Sequence, residues 1–577
     1  MSKPTLAQYG SSGLYHFRQA ISDEFHAMPL YRALVFSGPA PLLRKPWPER
    51  PATPERRRGE DIASGLFQLA GKRLVFKNVE QAWSQATPSR AFAVALHEFR
   101  WLHDLANFED DAQTAQLARE HVDIWIEKFG TWNRFAWNRT ITAERCLSWL
   151  GSARFLFSGD AVSTSTRLIC LGRQIRHLKS IISVCEQGDS RIWIALALTT
   201  AGTCLHGMEK YKNTGLDLLK TELKKQILPD GGHISRNPEI AARILSELET
   251  LSALLEQHDI YVPPFIRQTL DRLNPFIRFC LLPNGELAPF HGGGNGDSLA
   301  TQQALSMDQI TSKSFVLAPY SRYHRVQSAR TTLLFDSGGA PVLSYASNAN
   351  ASALSFVFAS QAGCLVTNCG WSAELAEKWR HPSRTSAAHS TLIIDDVSSS
   401  KLLDNSLHAK ILGSALIDRE EPITARRVEE DSGVWLNGSH QEYVSRYGLQ
   451  YNRRLFLDKS GTDLRGEDTL ERPIGMEKTT DLQPISFAIR FHLHPLVQAS
   501  VSRDRKSVLL RLQTGEGWQF RCDQSQLALE PSVYLAAGAP PKRNSQIVLY
   551  GAADPNGTGQ ETSNRVRWSI RKIKASS

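Results

Sequence analysis

The sequence predicts an all-α domain followed by an all-β domain: an (α/α) toroid, then a large antiparallel β-sandwich. Two observations predict it. Apolar residues recur at spacings of three and four from about residue 90 to 283. After His291-Gly-Gly-Gly-Asn-Gly-Asp297 the pattern switches to period two, in short β-rich runs separated by Gly, Asp, Asn and Ser.

Residues 1–80 read as an irregular N-terminal arm. Five prolines within 41–61 block helix formation there, and Arg56, Arg57 and Arg58 are too few to make a polyanion-binding motif by themselves. The toroid domain is expected over 81–310. AFAVALHEFRWLHDLANF places Phe92, Leu96, Phe99, Leu102 and Leu105 on one helical face. Amphipathic stretches follow at about 111–129, 141–157, 161–185, 190–206, 213–227, 238–257 and 263–282, with turn chemistry at FGTWNR, SGD, EQGDS and PDGGH between them. Helices of this length on short links form antiparallel hairpins, and the lack of a strict repeat favours a toroid over a solenoid. The sandwich is expected over 311–577, from runs such as ARTTLLFD, ALSFVFA, STLIIDD, GVWLNGSH, FAIRFHLHP and QIVLYGA.

Length and composition narrow the class. The 577 residues are enough for about two to four domains. With 41% apolar and 22% charged residues, disordered, collagen-like and disulfide-scaffold chains are excluded. Lys and Arg exceed Asp and Glu by 67 − 58 = 9, a surplus that suits a polyanionic partner. The eight cysteines form no CxxC pair and read as buried thiols. No signal-peptide pattern and no 18-residue apolar run is present, so the expectation is a cytoplasmic protein without a membrane span, with the cell envelope or periplasm as the alternative.

The densest group of site-type side chains is Pro229-Asp-Gly-Gly-His-Ile-Ser-Arg-Asn-Pro238. His233, Arg236 and Asn237 crowd a helix start, where Arg236 and the amide of Asn237 suit a carboxylate and His233 can move a proton. A plain turn and a helix cap with Pro238 in the first turn would use the same residues.

This segment, with WRHPSRTSAAHSTLIID (379–395), GLQYNRRLFL (448–457), IRFHLHP (489–495) and the later GEGWQFRC and QIVLYG, resembles the heparinase II/III-like proteins. The resemblance implies an incomplete (α/α) toroid followed by a C-terminal antiparallel β-sandwich, in the order just described, and a polysaccharide lyase that cleaves uronate-containing glycans by β-elimination. Such a reaction needs a neutralised carboxylate, a base for the C5 proton and an acid for the leaving oxygen. It implies catalytic roles for His233, Arg236 and Asn237, faced from the sandwich by His389 and Asn348. An acidic polysaccharide or oligosaccharide is the expected partner, nucleic acid is not, and the oligomeric state is not legible.

The sequence departs from the family pattern at the expected His-x-His-x-Asp stretch, which reads Asn348-Ala-Asn-Ala-Ser352, and at Asn368 on the next strand. One imidazole, His389, among neutral amides is a poor zinc site, so no metal and no cofactor is expected, a structural metal near His389 being the alternative. Where a catalytic Tyr is sought, the chain offers Phe290 and His291. His291 is a candidate proton donor or substrate contact, or a solvated loop residue. Tyr443 and Tyr447 are further candidates, as likely to be structural by strand alternation. Arg380, Trp132 and Trp137 are candidate sugar contacts. Gly292–Asp297 reads as a flexible loop at the cleft rim, and His492 with His494 as a hydrogen-bonded core pair or a metal pair. Two further functions stand beside the lyase: a non-catalytic glycan-binding protein on the lyase scaffold, and a glycoside hydrolase. The hydrolase needs a carboxylate pair, of which only Asp230 is a candidate.

Overall fold

The computed structural model describes residues 6–48, 55–105, 112–185, 188–308, 315–403, 415–417, 423–476, 483–523, 526–538 and 540–573. Its longer helices are α1 (Leu6–Ala27), α2 (Pro29–Phe36), α3 (Arg90–Glu98), α4 (Ala112–Phe129), α5 (Arg139–Gly151), α6 (Ala161–Ile181), α7 (Ser190–Cys204), α8 (Glu209–Gln226), α9 (Pro238–Gln257) and α10 (Pro264–Cys280). α7 is apolar nearly all round, and every residue in it except Arg191 is buried, so it sits inside the helical layer. The starts carry side-chain caps that the sequence dictates: Asp160 accepts from the Ser163 amide and Asn237 from the Glu239 amide.

Two expectations for this half are corrected. The first 80 residues are not an irregular arm: α1, α2 and a helix at Arg56–Ala63 lie there, although 49–54, within the Pro-rich stretch, lie outside the described residues. Arg58 pairs with Glu55, Asp104 and Glu374, which ties this segment to both domains. The stretch from Ala91 is not one helix either. α3 stops at Phe99, which adopts a left-handed φ of 59°, and a short helix resumes at Leu102–Leu105. All five apolar residues of the stripe are nonetheless buried, because the kink turns both pieces into the same core.

α1 inverts the usual amphipathic arrangement. Its inward side is polar: His26 Nε2 lies 3.1 Å from the Ser180 hydroxyl, Asp23 pairs with Arg134 and the Tyr15 hydroxyl meets Arg139. Leu14, Phe17, Ile21 and Phe25 face solvent at 40–63% exposure.

The second half contains β1 (Leu317–Ala318), β2 (Tyr323–Ser328), β3 (Thr331–Asp336), β4 (Phe356–Ser360), β5 (Gly363–Thr367), β6 (Leu392–Ile394), β7 (Thr424–Glu430), β8 (Gly433–His440), β9 (Gln450–Asp458), β10 (Asp463–Glu471), β11 (Ile485–Leu493), β12 (Gln498–Val501), β13 (Ser507–Arg511), β14 (Gly517–Cys522), β15 (Gln526–Tyr534), β16 (Lys542–Ala553) and β17 (Arg565–Lys572). One antiparallel sheet has the order β15-β16-β11-β5-β4-β3-β2-β1, with β6 paired to β11. The other runs β7-β8-β9-β10-β17-β14-β13-β12. Alternation sends Leu464, Asp468 and Leu470 of β10 inward, where the two sheets enclose Phe356, Leu455, Phe491, Trp518 and Trp568. The helical core continues beneath Leu334, Val357 and Cys364 of the first sheet, so the two halves share one apolar interface.

The glycine loop is part of that interface and not a flexible rim. Gly293, Gly294 and Asn295 are buried, and a Cβ on Gly293 would stand 2.5 Å from Asn237 Oδ1. One on Gly294 would meet the carbonyls of Ala536 and Trp371 at 2.4 and 2.7 Å. The Gly294 amide donates to Glu239 of α9, and Asn295 to the Ala536 carbonyl. Glycine is required here so that toroid and sandwich backbones can touch.

Candidate active site

The loop between α8 and α9 carries His233, Arg236 and Asn237, and all three are buried. Arg236 holds a left-handed φ of 62°, which aims its side chain away from α9 and into the sandwich. There it forms an ion pair with Asp336, the last residue of β3. The same guanidinium donates to the carbonyls of Ser321 (2.9 Å), Gly339 (2.6 Å) and Arg322 (3.3 Å), and lies over the Tyr323 ring at 4.8 Å. Tyr323 closes the loop by donating its hydroxyl to the Arg236 carbonyl at 2.6 Å.

Asp336 is fully buried and accepts from the Ser352 hydroxyl at 2.8 Å and the Gly338 amide at 3.1 Å, with His291 Nε2 3.1 Å from its second oxygen. His291 Nε2 also lies 2.7 Å from a terminal nitrogen of Arg236, and the Asn350 backbone N–H points at Nδ1 at 3.5 Å. Burial alone would raise this carboxyl, but Arg236 and His291 outweigh it and hold the group well below the usual carboxylate range. His291, with a left-handed φ of 46°, is thus a buried member of the cluster and not a solvated loop residue. Its strained backbone and that of Arg236 are both held by the Asp336 pair.

His233 points elsewhere. Its Nδ1 accepts from the Ser235 amide (3.2 Å) and faces the Ser235 hydroxyl at 2.6 Å. Nε2 then carries the proton and donates to Gln226 Oε1 at 3.0 Å. Gln226 is fixed in turn by Glu222, and Glu222 by Arg191. Burial pushes the imidazole down to about 3, so it is neutral, with both nitrogens already engaged. Asn237 caps α9 through Oδ1, while its Nδ2 has no partner among the described residues.

From the sandwich, His389 is buried near His291 and Asp336, with Nδ1 on the Thr385 carbonyl at 2.8 Å and its pKa lowered by burial to about 4. Asn348 is exposed; its Oδ1 accepts from Arg380 at 2.7 Å, and its backbone packs on Gly292. Asn350 is buried, donates to the Ser383 carbonyl and leaves its Oδ1 unpaired. The structure therefore gathers Arg236, His291 and His389 around Asp336, with Asn237 beside Gly293. Asn348 and Arg380 form a pair at the outer edge.

Three candidates lie outside this group. Trp132 stacks on His26 of α1, Trp137 packs on Phe36 and His177, and both are used to seat the N-terminal helices. Tyr443 is buried in the sandwich core with its hydroxyl on the Leu392 carbonyl. Trp137 and Tyr443 are buried and Trp132 is half-buried, so the three stand apart from the Arg236 cluster. Tyr447 reaches Asp395, and Asp230 is spent on the amides of Tyr320 and Ser321 and the Ser321 hydroxyl. His492 is buried between Ser532 and the Ala387 carbonyl, whereas His494 faces Tyr534, so the two make no pair.

The donor set does not fit a metal. No group of three His, Cys, Asp or Glu that could hold a metal ion is found among the described residues, and the carboxylate near His389, Asp336, is already taken by Arg236. The residues that sequence reasoning missed are Asp336, Tyr323, Ser352 and Gln226. Asp336 appears in the sequence as no more than the end of the run TTLLFD, and its partner lies 100 residues away.

The comparisons with known proteins agree with this architecture. A family model described as heparinase II/III-like, C-terminal, matches residues 310–569. FtsZ-localized protein C of Caulobacter vibrioides is 35% identical over 557 residues, 95% of this chain and 93% of that protein. Among solved structures, heparinase III covers 100% of this chain and 93% of its own at 14% identity, with a TM-score of 0.69. A mutant of the heparan sulfate lyase HepC from Pedobacter heparinus covers 90% of this chain and 83% of its own at 14% identity, with a TM-score of 0.57. At such identity these two likenesses are likenesses of fold. The chain is a member of the heparinase II/III-like family.

Proposed function

We propose that this chain is a non-catalytic member of its family that acts in association with FtsZ. The observation that carries the first half is the buried pair of Arg236 and Asp336. An internal carboxylate already sits on the one guanidinium that a uronate carboxylate would need. Displacing it would take the guanidinium from a carboxylate that stays buried, at a cost of several kcal/mol. His233 adds to this, since its pKa of about 3 and its two hydrogen bonds make it a poor base at neutral pH. The second half rests on the 35% identity to FtsZ-localized protein C along 95% of the chain.

Two measurements on the full chain test the reading. Co-sedimentation with polymerised FtsZ from the same organism is expected to bring the chain down saturably, and a chain left in the supernatant at every FtsZ concentration removes that half. Incubation with uronate polymers is expected to give no absorbance of a new C4–C5 double bond. The second reading, a lyase acting on an acidic glycan, is favoured by the unpartnered Nδ2 of Asn237, a donor left for a ligand. Double-bond absorbance that disappears in Asn237→Ala would establish it.

A further inference from the structure

A cavity of about 280 Å³ lies at the other end of the β2–β3 hairpin, four residues or about 13 Å along β3 from Asp336. It opens where the Ala329–Arg330 turn and the Gln361 turn of the sandwich meet the end of α10. Three guanidinium groups line it: Arg278, Arg325 and Arg330. Among the described residues only Arg278 has a carboxylate, Asp308 at 2.8 Å.

Arg325 is 8% exposed and pairs with no carboxylate among the described residues. One of its terminal nitrogens holds the carbonyls of Phe279 (2.6 Å) and Leu281 (2.8 Å), which satisfies the end of α10. The other donates to Gln327 at 3.2 Å and faces the Thr332 hydroxyl at 3.5 Å, and Nε has no partner among the described residues. Burial without an opposing charge pulls its pKa down to about 10. Arg330 is exposed and makes no ion pair among the described residues. A net charge of two, donors from Gln327, Gln361 and Thr332, and an apolar floor of Leu281 and Pro283 complete the walls. A cation kept out of water without a counter-charge is costly unless an anion joins it. A guanidinium pair matches phosphate oxygens in geometry, and a phosphate monoester carries close to two negative charges at neutral pH.

We propose that this cavity binds the phosphate monoester of a small, ring-sized metabolite, independently of the Arg236 site and of any association with FtsZ. Titration calorimetry of the full chain with glucose 6-phosphate, glucose, inorganic phosphate and glucuronate at fixed ionic strength tests it. Glucose 6-phosphate is expected to bind one to one and more tightly than inorganic phosphate, with no heat from glucose. Arg325→Gln loses the α10 contacts and can fail to fold, so Arg330→Ala and Gln361→Ala, both on exposed turns, are the informative variants. Arg330→Ala is expected to weaken binding tenfold or more at an unchanged melting temperature. Absence of binding by either phosphate, equal binding of glucuronate, or affinity unaffected by Arg330→Ala overturns the proposal.

Discussion

Asp336→Asn is the substitution that most sharply probes the buried cluster. The side chain keeps its shape, so no cavity forms, but the charge opposite Arg236 disappears. The new amide must also present an NH2 either to Arg236 or to the Ser352 hydroxyl, both of which are donors at present. Removing one member of a buried ion pair costs about 3–5 kcal/mol, because the other charge stays behind unpaired. Unfolding entropy near the transition is about 2.1 cal/mol/K per residue, or about 1.2 kcal/mol/K for the whole chain. A loss of 4 kcal/mol (about the middle of that range) then lowers the melting temperature by about 3 °C if the chain unfolds as one unit. It lowers it by about 7 °C if the sandwich unfolds by itself. Scanning calorimetry at pH 7 measures the shift, and Arg236→Gln combined with Asp336→Asn is expected to cost less than the two single changes together. A shift under about 1 °C, or strict additivity of the pair, would refute the claim that these charges hold each other.

Other expectations follow from the same contacts. Gly294→Ala places a Cβ within 2.7 Å of two carbonyls and is expected to destabilise the chain by about 1–3 kcal/mol, read by denaturant titration. Acidification is expected to destabilise it between pH 6.5 and 4. His97, His121, His177, His233, His440 and His492 are held neutral by burial, down to about 3, so the unfolded chain takes up their protons first. Glu98 and Glu249, pushed up to about 7, and Asp104, pushed up to about 6, act in the opposite sense over part of that range, but they are fewer. Melting temperatures that rise steadily from pH 6.5 to 4 would contradict this sign. A chelator is expected to leave the melting temperature unchanged, since the atoms around His389 are not a metal-binding set; a clear fall would show otherwise.

The fold was legible because periodicity is local. Helices α4, α7, α9 and α10 lie within a few residues of the amphipathic stretches that predict them, and caps such as Asn237 with Pro238 mark their starts. Strands β7 and β10 were harder to see, since TARRVEE and DLRGEDTLE are rich in charge and β10 turns Gly466 and Asp468 inward. The site was only half legible. Residue types announced Arg236 and His291, but not where they point. A left-handed backbone turns Arg236 onto a carboxylate 100 positions later, and no local pattern encodes that pairing. The serine that replaces the aspartate of the family pattern, Ser352, donates to Asp336, so a departure in sequence becomes a contact in the closed cluster. Trp137 and Tyr443 show the converse, because an aromatic ring near a turn reads the same whether it meets a sugar or a core.

The central claim is that the cationic group of this site is already neutralised from within and performs no β-elimination. The most direct measurement is product absorbance from a panel of uronate polymers incubated with the full chain at neutral pH, compared with His233→Ala. Neither protein is expected to give double-bond product. Sustained product from the wild-type chain that is abolished by His233→Ala would contradict it.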